Sequence, residues 1–248
     1  MLGIARQLSR STMRTGLSFF LGQRCAVCGR QQQQPFCLDC QGQIQDLVGH
    51  YEGWRRDLDH PLLVGAFAPY SGPIRQALRA LKYDYRPEVG QVLGAALGKR
   101  WLQRRATLEG SKASSVVDSA DGVPIYVLPI PLHRHRQAQR GYNQAEVIAR
   151  SFCQASGLPL LANGLTRIED TLPQYQLGLK ARKENLKDAF QVGQSLHRVG
   201  RRLGAMPRVL LVDDIYTTGT TAKSAADVLM RSHVPVMGMV AVARAVSD

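Results

Sequence analysis

The 248-residue sequence has no long apolar run and few acidic residues, and only Cys153 lies outside one short cysteine-rich segment. Its longest apolar stretches are strand-sized and fall well short of the roughly 20 residues that a membrane-spanning helix requires. We therefore expect no transmembrane segment. The apolar run GLSFFLG near the N-terminus is too short, and begins too late, to indicate a secretory signal.

The shortage of acidic residues leaves a strong positive charge. The sequence has 32 Lys and Arg against 19 Asp and Glu, a formal net charge of +13. Such an excess favours polyanionic partners or substrates, such as phosphates or nucleic acid, although a basic surface can also serve solubility alone. Because the basic residues occur as scattered pairs, as at residues 55–56, 104–105 and 201–202, the sequence predicts a diffuse basic face rather than a disordered arm.

No acidic residue precedes Asp39, and residues 1–22 combine arginine with serine and threonine. We interpret this segment as a helix-prone leader that packs on the module after it. Its composition also suits an organellar transit peptide, and composition alone leaves that alternative open.

Four of the five cysteines form two closely spaced C-x2-C pairs. Each pair directs two thiolates to one point, and two such pairs on a short loop complete a tetrahedral metal site. Disulfides and a redox-active C-x-x-C are the alternatives. A cysteine-poor chain without a clear secretory signal argues against disulfides, and two copies of the pair suit a metal better than redox chemistry. We predict a structural zinc site without a catalytic role, because protein ligands fill all four positions: Cys25, Cys28, Cys37 and Cys40.

The chain divides into three parts. Residues 1–22 are the leader, residues 23–60 hold the four-cysteine module and a turn-rich connection, and residues 61–248 alternate apolar runs with helical patterns. Near-continuous apolar strands between amphipathic helices predict an α/β fold, with a parallel sheet covered by helices on both faces. Ligands of such sheets bind at the carboxyl ends of the strands.

One stretch, VLLVDDIYTTGTTA at residues 209–222, carries the strongest functional signal. It places Asp213 and Asp214 directly after an apolar strand, ahead of a Thr/Gly loop that opens a helix. The backbone N–H groups and hydroxyls of such a loop can surround a phosphate, and a glycine lets the backbone approach the anion. The two acids would repel that phosphate, but they suit the vicinal hydroxyls of a ribose, directly or through Mg²⁺.

This stretch resembles the signature of type I phosphoribosyltransferases, which bind phosphoribosyl pyrophosphate (PRPP). The resemblance implies that Asp213 and Asp214 hold the ribose hydroxyls and are the candidate catalytic residues. It also implies a complex with Mg²⁺ and PRPP in which the 5′-phosphate is bound by Thr217, Thr218, Gly219, Thr220 and Thr221. Displacement at the anomeric carbon depends mainly on positioning and electrostatics, so no Ser/His/Asp triad is expected.

Two further stretches agree with this resemblance. The basic loop HRHRQAQR follows a predicted strand where type I enzymes bind pyrophosphate, which implies an anion site at Arg134, Arg136 and Arg140. The segment RIEDTLPQYQLGLKARKENLKDAF resembles the flexible loop of amidophosphoribosyltransferases, although a charged, solvated hairpin is the alternative. The resemblance of that segment rests on Arg167, Thr171, Gln174, Arg182, Asn185 and Phe190.

The combination of these parts resembles the ComF family, bacterial proteins linked to competence and to the handling of incoming DNA. The resemblance spans residues 24–245, and its most specific pieces are RGYNQ at residues 140–144 and DDIYTTGTT at residues 213–221. A polar insertion at residues 111–123 and a basic loop at residues 196–204 depart from it. The family implies a cytoplasmic location, which disfavours a transit peptide.

Two functions of different classes follow. The first is a phosphoribosyltransferase that transfers the ribosyl group of PRPP to an unknown nitrogenous acceptor. The second is a non-catalytic module on the same fold that binds nucleotides or single-stranded DNA, in contact with the DNA-uptake machinery. The first predicts specific binding of Mg²⁺ and PRPP, whereas the second predicts binding that weakens steeply with salt.

Overall fold

The computed structural model describes residues 23–109, 123–168 and 189–245. These residues form a mixed α/β structure with a five-stranded central sheet and two small two-stranded sheets. The strands are β1 (Gln23–Arg24), β2 (Gln31–Gln32), β3 (Trp54–Arg56), β4 (Leu63–Pro69), β5 (Ile125–Pro129), β6 (Leu165–Arg167), β7 (Phe190–Val192), β8 (Arg208–Tyr216) and β9 (Val236–Arg244).

Seven helices occur in the described part of the chain. None of them has the length and apolarity that crossing a membrane would require. They are α1 (Leu38–Gly49), α2 (Gly72–Tyr83), α3 (Pro87–Glu109), α4 (Arg134–Arg140), α5 (Gln144–Ser156), α6 (Gln194–Leu203) and α7 (Thr220–Arg231).

The central sheet has the strand order β3-β4-β9-β8-β5. Strands β4, β9, β8 and β5 pair in parallel, whereas β3 pairs with β4 in antiparallel fashion at one edge. Strand β8 lies inside the sheet, and the apolar residues 209–212 of this strand are at most 1% exposed. A strand covered on both faces needs apolar residues at successive positions, which explains the unbroken run at residues 209–212. The predicted α/β class is confirmed.

Two apolar cores lie on opposite faces of this sheet, because successive side chains of a strand point to opposite sides. Leu210 and Val212 of β8 belong to the core that includes residues of α2, α3 and α5. Val209 and Leu211 belong to the core that includes residues of α7 and α6. Since helices cover both faces, the carboxyl ends of the parallel strands form the edge at which a ligand can bind.

Three segments are more regular than the sequence predicts. The basic segment at residues 196–204, which we interpreted as a loop, forms helix α6 instead, because Leu196 is buried and Gly204 ends the helix in the left-handed conformation. Part of the basic loop after β5 forms helix α4. The connection after the four-cysteine module contributes strand β3 to the central sheet.

Helices α3 and α5 lie close together because glycines line the surface where they meet. An added Cβ at Gly94 would overlap the carbonyl oxygen of Ile148, and one at Gly98 would crowd that of Phe152. The neighbouring atoms belong to backbone, which cannot rotate away as a flexible side chain can. The two glycines therefore set the distance between the helices.

Replacing Gly94 with alanine should destabilise the protein, although alanine is the better helix former. The new methyl group would push the backbone of α5 away, and such overpacking costs about 1–3 kcal/mol. Gly42 of α1 is the matched control, because an added Cβ there meets no atom within 4 Å. Gly42→Ala should raise stability by about 0.5–1 kcal/mol or leave it unchanged. Urea unfolding measures both effects, and equal midpoints for Gly94→Ala and wild type would contradict the close packing.

Candidate functional site

Asp213 and Asp214 lie near the carboxyl end of β8. The carboxylate of Asp214 is buried and forms an ion pair with Lys82, at 2.6 Å between Oδ2 and Nζ. Lys82 comes from the last turn of α2, which therefore ends beside β8. The Oδ1 atom of Asp213 accepts a hydrogen bond from the backbone N–H of Asp214 at 2.8 Å. The two adjacent acids thus have different partners.

Asp213 is the acid that resists ionisation. Burial, and then the negative charge of Asp214, raise the pKa of the Asp213 carboxyl well above its ordinary value. Its side chain is surrounded mainly by protein but keeps partial access to solvent at the edge of the sheet. A cation that arrived there would favour the ionised form. An acid with a raised pKa can also exchange a proton with a bound ligand near neutral pH.

The Thr/Gly loop joins β8 to helix α7, which begins at Thr220. Gly219 has a φ of +75°, a left-handed conformation that L side chains rarely adopt. As the N-cap residue, it offers no side chain to the first backbone N–H groups of α7, which leaves these donors for an anion. The hydroxyls of Thr218 and Thr220 lie 2.8 Å apart at this turn. Thr217 is exposed, and Thr221 is half-buried in the first turn of the helix.

A network of side chains connects this turn to the segment after β3. The hydroxyl of Tyr216 donates a hydrogen bond to Asp57, and Lys223 of α7 forms an ion pair with the same carboxylate at 2.7 Å. Burial opposes the ionisation of Asp57, but the bonds from Lys223 and Tyr216 outweigh it and lower the pKa of its carboxyl. An added Cβ at Gly219 would overlap the Tyr216 hydroxyl, so space as well as conformation requires glycine there.

Arg167 lies within electrostatic range of both Asp213 and Arg136. Arg167 lies in β6 and Arg136 lies in α4. Burial and then the positive charge of Arg136 lower the pKa of Arg167, while the charge of Asp213 raises it. The Nε atom of Arg167 is buried and has no hydrogen-bond partner among the described residues. The two guanidinium groups and the unpaired Nε–H donor of Arg167 are suited to bind an anion.

The other basic and loop residues predicted from the sequence have different surroundings. Arg140 donates a hydrogen bond to Gln144 at 2.9 Å and lies 5.4 Å from the centre of the Tyr83 ring, so the protein itself holds it. Arg134 is exposed at the start of α4.

Of the predicted flexible loop, Phe190 is buried below the guanidinium group of Arg167. The remaining residues of the predicted flexible loop lie outside the described part of the chain: Thr171, Gln174, Arg182 and Asn185.

The four cysteines of the N-terminal module come together in space. Their sulfur atoms all lie within 4.8 Å of one another, and those of Cys28 and Cys37 are 3.6 Å apart. The hairpin of β1 and β2 and the start of α1 bring the two pairs together. Four sulfur atoms bound at about 2.3 Å to one tetrahedral ion would lie about 3.8 Å apart. This cluster, which also contains Cys25 and Cys40, could therefore hold a metal ion.

The surroundings of the cluster favour thiolates at two positions. Hydrogen bonds from the backbone and then from the guanidinium group of Arg30 lower the pKa of Cys28 to about 6. Burial raises the pKa of Cys25, but hydrogen bonds from backbone groups outweigh it and lower that pKa overall. Burial raises the pKa of Cys40, and a bound cation would reverse the effect because it stabilises the thiolate directly.

Sequence analysis assigned no role to Lys82, Asp57 or Tyr216. These residues act through partners far along the chain, since 159 positions separate Asp57 from Tyr216. A lysine at the end of an amphipathic helix carries no local signal that points to an acid on a distant strand. Only the three-dimensional arrangement brings these residues to the site.

Replacing Asp213 with asparagine should raise stability by an amount that grows with pH. The folded chain holds this proton to a higher pH than the unfolded chain, in which the aspartate pKa is about 3.9. Below a pH of about 3.9, the raised pKa contributes its full stabilisation of the folded chain. This stabilisation is lost as the pH rises through the pKa of the folded chain. It amounts to about 1.4 kcal/mol for each pH unit between the pKa values of the unfolded and folded chains. Asparagine avoids this loss.

Urea unfolding of wild type and Asp213→Asn at about pH 5 and about pH 8 measures this change. Asp46→Asn, at an exposed position of α1, is the control for removing a carboxylate away from the site. A stability gain for Asp213→Asn that is equal at both pH values would contradict the raised pKa of Asp213.

Comparison with known proteins shows relatives over most of the chain, although no protein-family model matches it. The chain is 27% identical over 227 residues to competence protein F of Haemophilus influenzae, a match that covers 89% of this chain and 90% of the relative. It is 23% identical over 221 residues to competence protein ComFC of Bacillus subtilis, with 88% and 75% covered. DNA utilization protein YhgH of Escherichia coli K12 is 27% identical over 165 residues, or 66% of this chain and 64% of that protein.

Identities of this size are modest, but the matches to the two competence proteins extend over nearly nine tenths of the chain and so exceed a single shared motif. The described residues also combine a four-cysteine cluster with an α/β sheet, as the resemblance in the sequence implies. The chain is therefore similar to competence and DNA utilization proteins, and these similarities support the resemblance to the ComF family.

Proposed function

We propose that this chain binds PRPP with Mg²⁺ at the end of β8, as a phosphoribosyltransferase-like protein that acts in DNA uptake or in the handling of incoming DNA. The observation that carries the proposal is the pair Asp213 and Asp214 beside a left-handed glycine turn at the start of a helix. The parallel strands around that turn support a type I phosphoribosyltransferase fold. The names of the relatives, competence protein F and DNA utilization protein YhgH, support the role in DNA uptake.

The turn between β8 and α7 suits the 5′-phosphate of PRPP. It offers unpaired backbone N–H groups, the positive end of the helix dipole and threonine hydroxyls in one place. Gly219 allows the left-handed turn from which helix α7 begins. Lys223 is already neutralised by Asp57, so the turn itself supplies the donors to the phosphate.

The carboxyl groups of Asp213 and Asp214 suit the ribose hydroxyls, because their oxygen atoms accept hydrogen bonds. Lys82 neutralises Asp214 and the raised pKa reduces the charge on Asp213, so the edge repels a phosphorylated sugar less than two free carboxylates would. Carboxylate oxygens are also ligands that Mg²⁺ prefers. When bound with PRPP, this ion would neutralise charge on the diphosphate.

Arg136 and Arg167 suit the diphosphate of PRPP, since guanidinium groups bind phosphate oxygens through two hydrogen bonds at once. In transfer, the bond between the anomeric carbon and the diphosphate oxygen breaks while an acceptor nitrogen forms the new bond. The two arginines would stabilise the negative charge that moves onto the departing diphosphate. In its ionised form, Asp213 would accept the proton that the acceptor nitrogen loses. The proposal includes a cytoplasmic location, as the family resemblance implies.

The charge of the chain favours a second candidate function, non-catalytic binding of nucleotides or single-stranded DNA. The net charge is +13, and exposed arginines occur in α4 and at the end of α6. Binding of this kind would fall with salt at a log–log slope of about −0.7 for each neutralised phosphate of a single strand. Binding of PRPP should instead require Mg²⁺ and the complete diphosphate.

Replacing Asp214 with asparagine should weaken the binding of PRPP with Mg²⁺ by about tenfold or more, because a charge-assisted hydrogen bond to the ribose is lost. Isothermal titration calorimetry measures the affinity, with ribose 5-phosphate as the ligand that lacks the diphosphate. Asp227→Asn is the matched control, since Asp227 lies in α7 and pairs with His60 rather than with the site. Unchanged affinity in Asp214→Asn would contradict the proposal.

A second variant guards against misfolding of Asp214→Asn, which leaves Lys82 without its partner. The side chain of Thr218 is exposed, so Thr218→Val should fold normally. It should weaken PRPP and ribose 5-phosphate alike by about tenfold, because both ligands carry the 5′-phosphate. Full affinity of Thr218→Val for both ligands would place the phosphate elsewhere.

We also propose that the four-cysteine cluster holds a structural zinc ion, since its ligands are all thiols and fill a tetrahedral set. We expect about one zinc per chain, and Cys37→Ser should lose the metal and the folding free energy that it contributes, about 10–16 kcal/mol in small zinc modules. Metal analysis of the purified protein measures the zinc content, and Cys153→Ser is the control because Cys153 lies outside the cluster. Full zinc content in Cys37→Ser would show that the ligands are wrong.

A further inference from the structure

A polar cavity of about 600 Å³ lies between the segment before β3 and the second half of α3. One wall consists of residues 49–54. The other is one face of α3, because residues spaced by three and four positions share a face of a helix. The residues of that face are Arg100, Gln103, Arg104 and Thr107. The proposed function uses none of these residues.

The cavity is separate from the site at the end of β8. Helix α3 begins at Pro87, and Gly90 in its first turn lies against Leu81, the neighbour of Lys82. Arg100 lies 13 residues beyond Pro87, which at a rise of 1.5 Å per residue is about 20 Å along the helix. The arginines of the cavity therefore lie far along α3 from the end of α2 that carries Lys82.

Trp54 gives the cavity an aromatic surface that is fixed in place. Its ring occupies the space above Gly65, where an added Cβ would collide with three ring atoms. The ring also packs against Trp101, with the two centroids 5.5 Å apart. Trp101 is 5% exposed and belongs to the core. Trp54 is therefore held by the core on one side, while its half-exposed side chain lines the cavity.

Two arginines give the facing wall a positive charge. Arg100 is held along the cavity by a hydrogen bond from Nη2 to the carbonyl oxygen of Tyr51 at 3.3 Å. Arg104 lies one turn further along α3 and is exposed. Glu52 is the acidic residue of the lining, and its carboxylate can accept hydrogen bonds from hydroxyl or amino groups. An aromatic wall, two guanidinium groups and one acceptor match a ligand that has a planar ring, a phosphate and a sugar.

We propose that this cavity binds a nucleoside monophosphate, with the base stacked on Trp54 and the phosphate held by Arg100 and Arg104. The volume lies within the range of small-molecule sites, about 300–1,000 Å³. Stacking on an aromatic side chain tolerates any base, so the site is selective for the nucleotide class rather than for one base. A nucleotide within a single strand offers the same chemistry. We assign the site to the free nucleotide, because the two arginines of its lining, Arg100 and Arg104, lie one turn apart on α3 and suit a single phosphate.

Titration of the full chain with adenosine 5′-monophosphate tests the proposal by tryptophan fluorescence, since Trp54 and Trp101 are the two tryptophans of the sequence. We expect quenching that saturates. Arg104→Gln should weaken the affinity about tenfold, because it removes a charge-assisted hydrogen bond to the phosphate. Lys99→Gln is the matched control, because Lys99 is an exposed cation of α3 that does not line the cavity. Adenosine, which lacks the phosphate, should bind Arg104→Gln and wild type equally.

Two comparisons separate this site from the one at the end of β8. Thr218→Val should show the same tryptophan quenching by adenosine 5′-monophosphate as wild type does, because Trp54 and Trp101 lie at the cavity rather than at β8. Loss of that quenching would overturn the proposal by placing the nucleotide at β8. Equal affinity of Arg104→Gln and wild type would also overturn it. A ten-residue oligothymidylate and thymidine 5′-monophosphate distinguish the sources, and binding of the oligonucleotide alone would overturn a site for free nucleotides. Adenosine 5′-monophosphate shares its ribose 5′-phosphate with PRPP, but the quenching of Trp54 reports on the cavity whether or not PRPP binds at β8.

Discussion

The ammonium group of Lys82 holds the buried carboxylate of Asp214 at the end of β8, and much of the site depends on this ion pair. Breaking a buried pair by removing one partner costs about 3–5 kcal/mol, because the remaining charge is left in a poor solvent. Helix α2 must therefore end where Lys82 can reach the strand. The apolar face of α2 fixes that position, since Ile74, Leu78 and Leu81 are fully buried and Lys82 follows directly.

The charges at this edge of the sheet follow one rule: each acid that could repel an anionic ligand is neutralised. Lys82 neutralises Asp214, and Lys223 neutralises Asp57 below the threonine turn. Asp213 has no lysine within ion-pair distance in the described part of the chain, and its raised pKa reduces its charge instead. Arg167, within electrostatic range of Asp213, then adds positive charge close to the two carboxylates. Such an edge would repel an anionic ligand less than two unpaired carboxylates would, while it keeps acceptors for hydroxyl groups.

The sequence predicts the parts of this structure that are encoded locally. The apolar run of β8, the two acids, the Thr/Gly turn and helix α7 are consecutive, and the cysteine pairs carry their own spacing. Features that need distant partners escape prediction. Helix α6 is polar in sequence because one face meets water, and only its packing through Leu196 shows that it is ordered. Strand β3 is short and ends in two arginines, and its pairing with β4 follows from the topology alone.

The antiparallel strand β3 has a consequence for the boundary between the cysteine module and the sheet. A chain cut between β3 and β4 would expose the backbone N–H and C=O groups of β4, and an uncovered edge of this kind is a template for aggregation. The same cut would remove Asp57 from Tyr216 and Lys223. Strand β3, which follows the cysteine module, thus covers the edge of β4. Recombination or proteolysis between β3 and β4 would expose that edge and yield a fragment that self-associates.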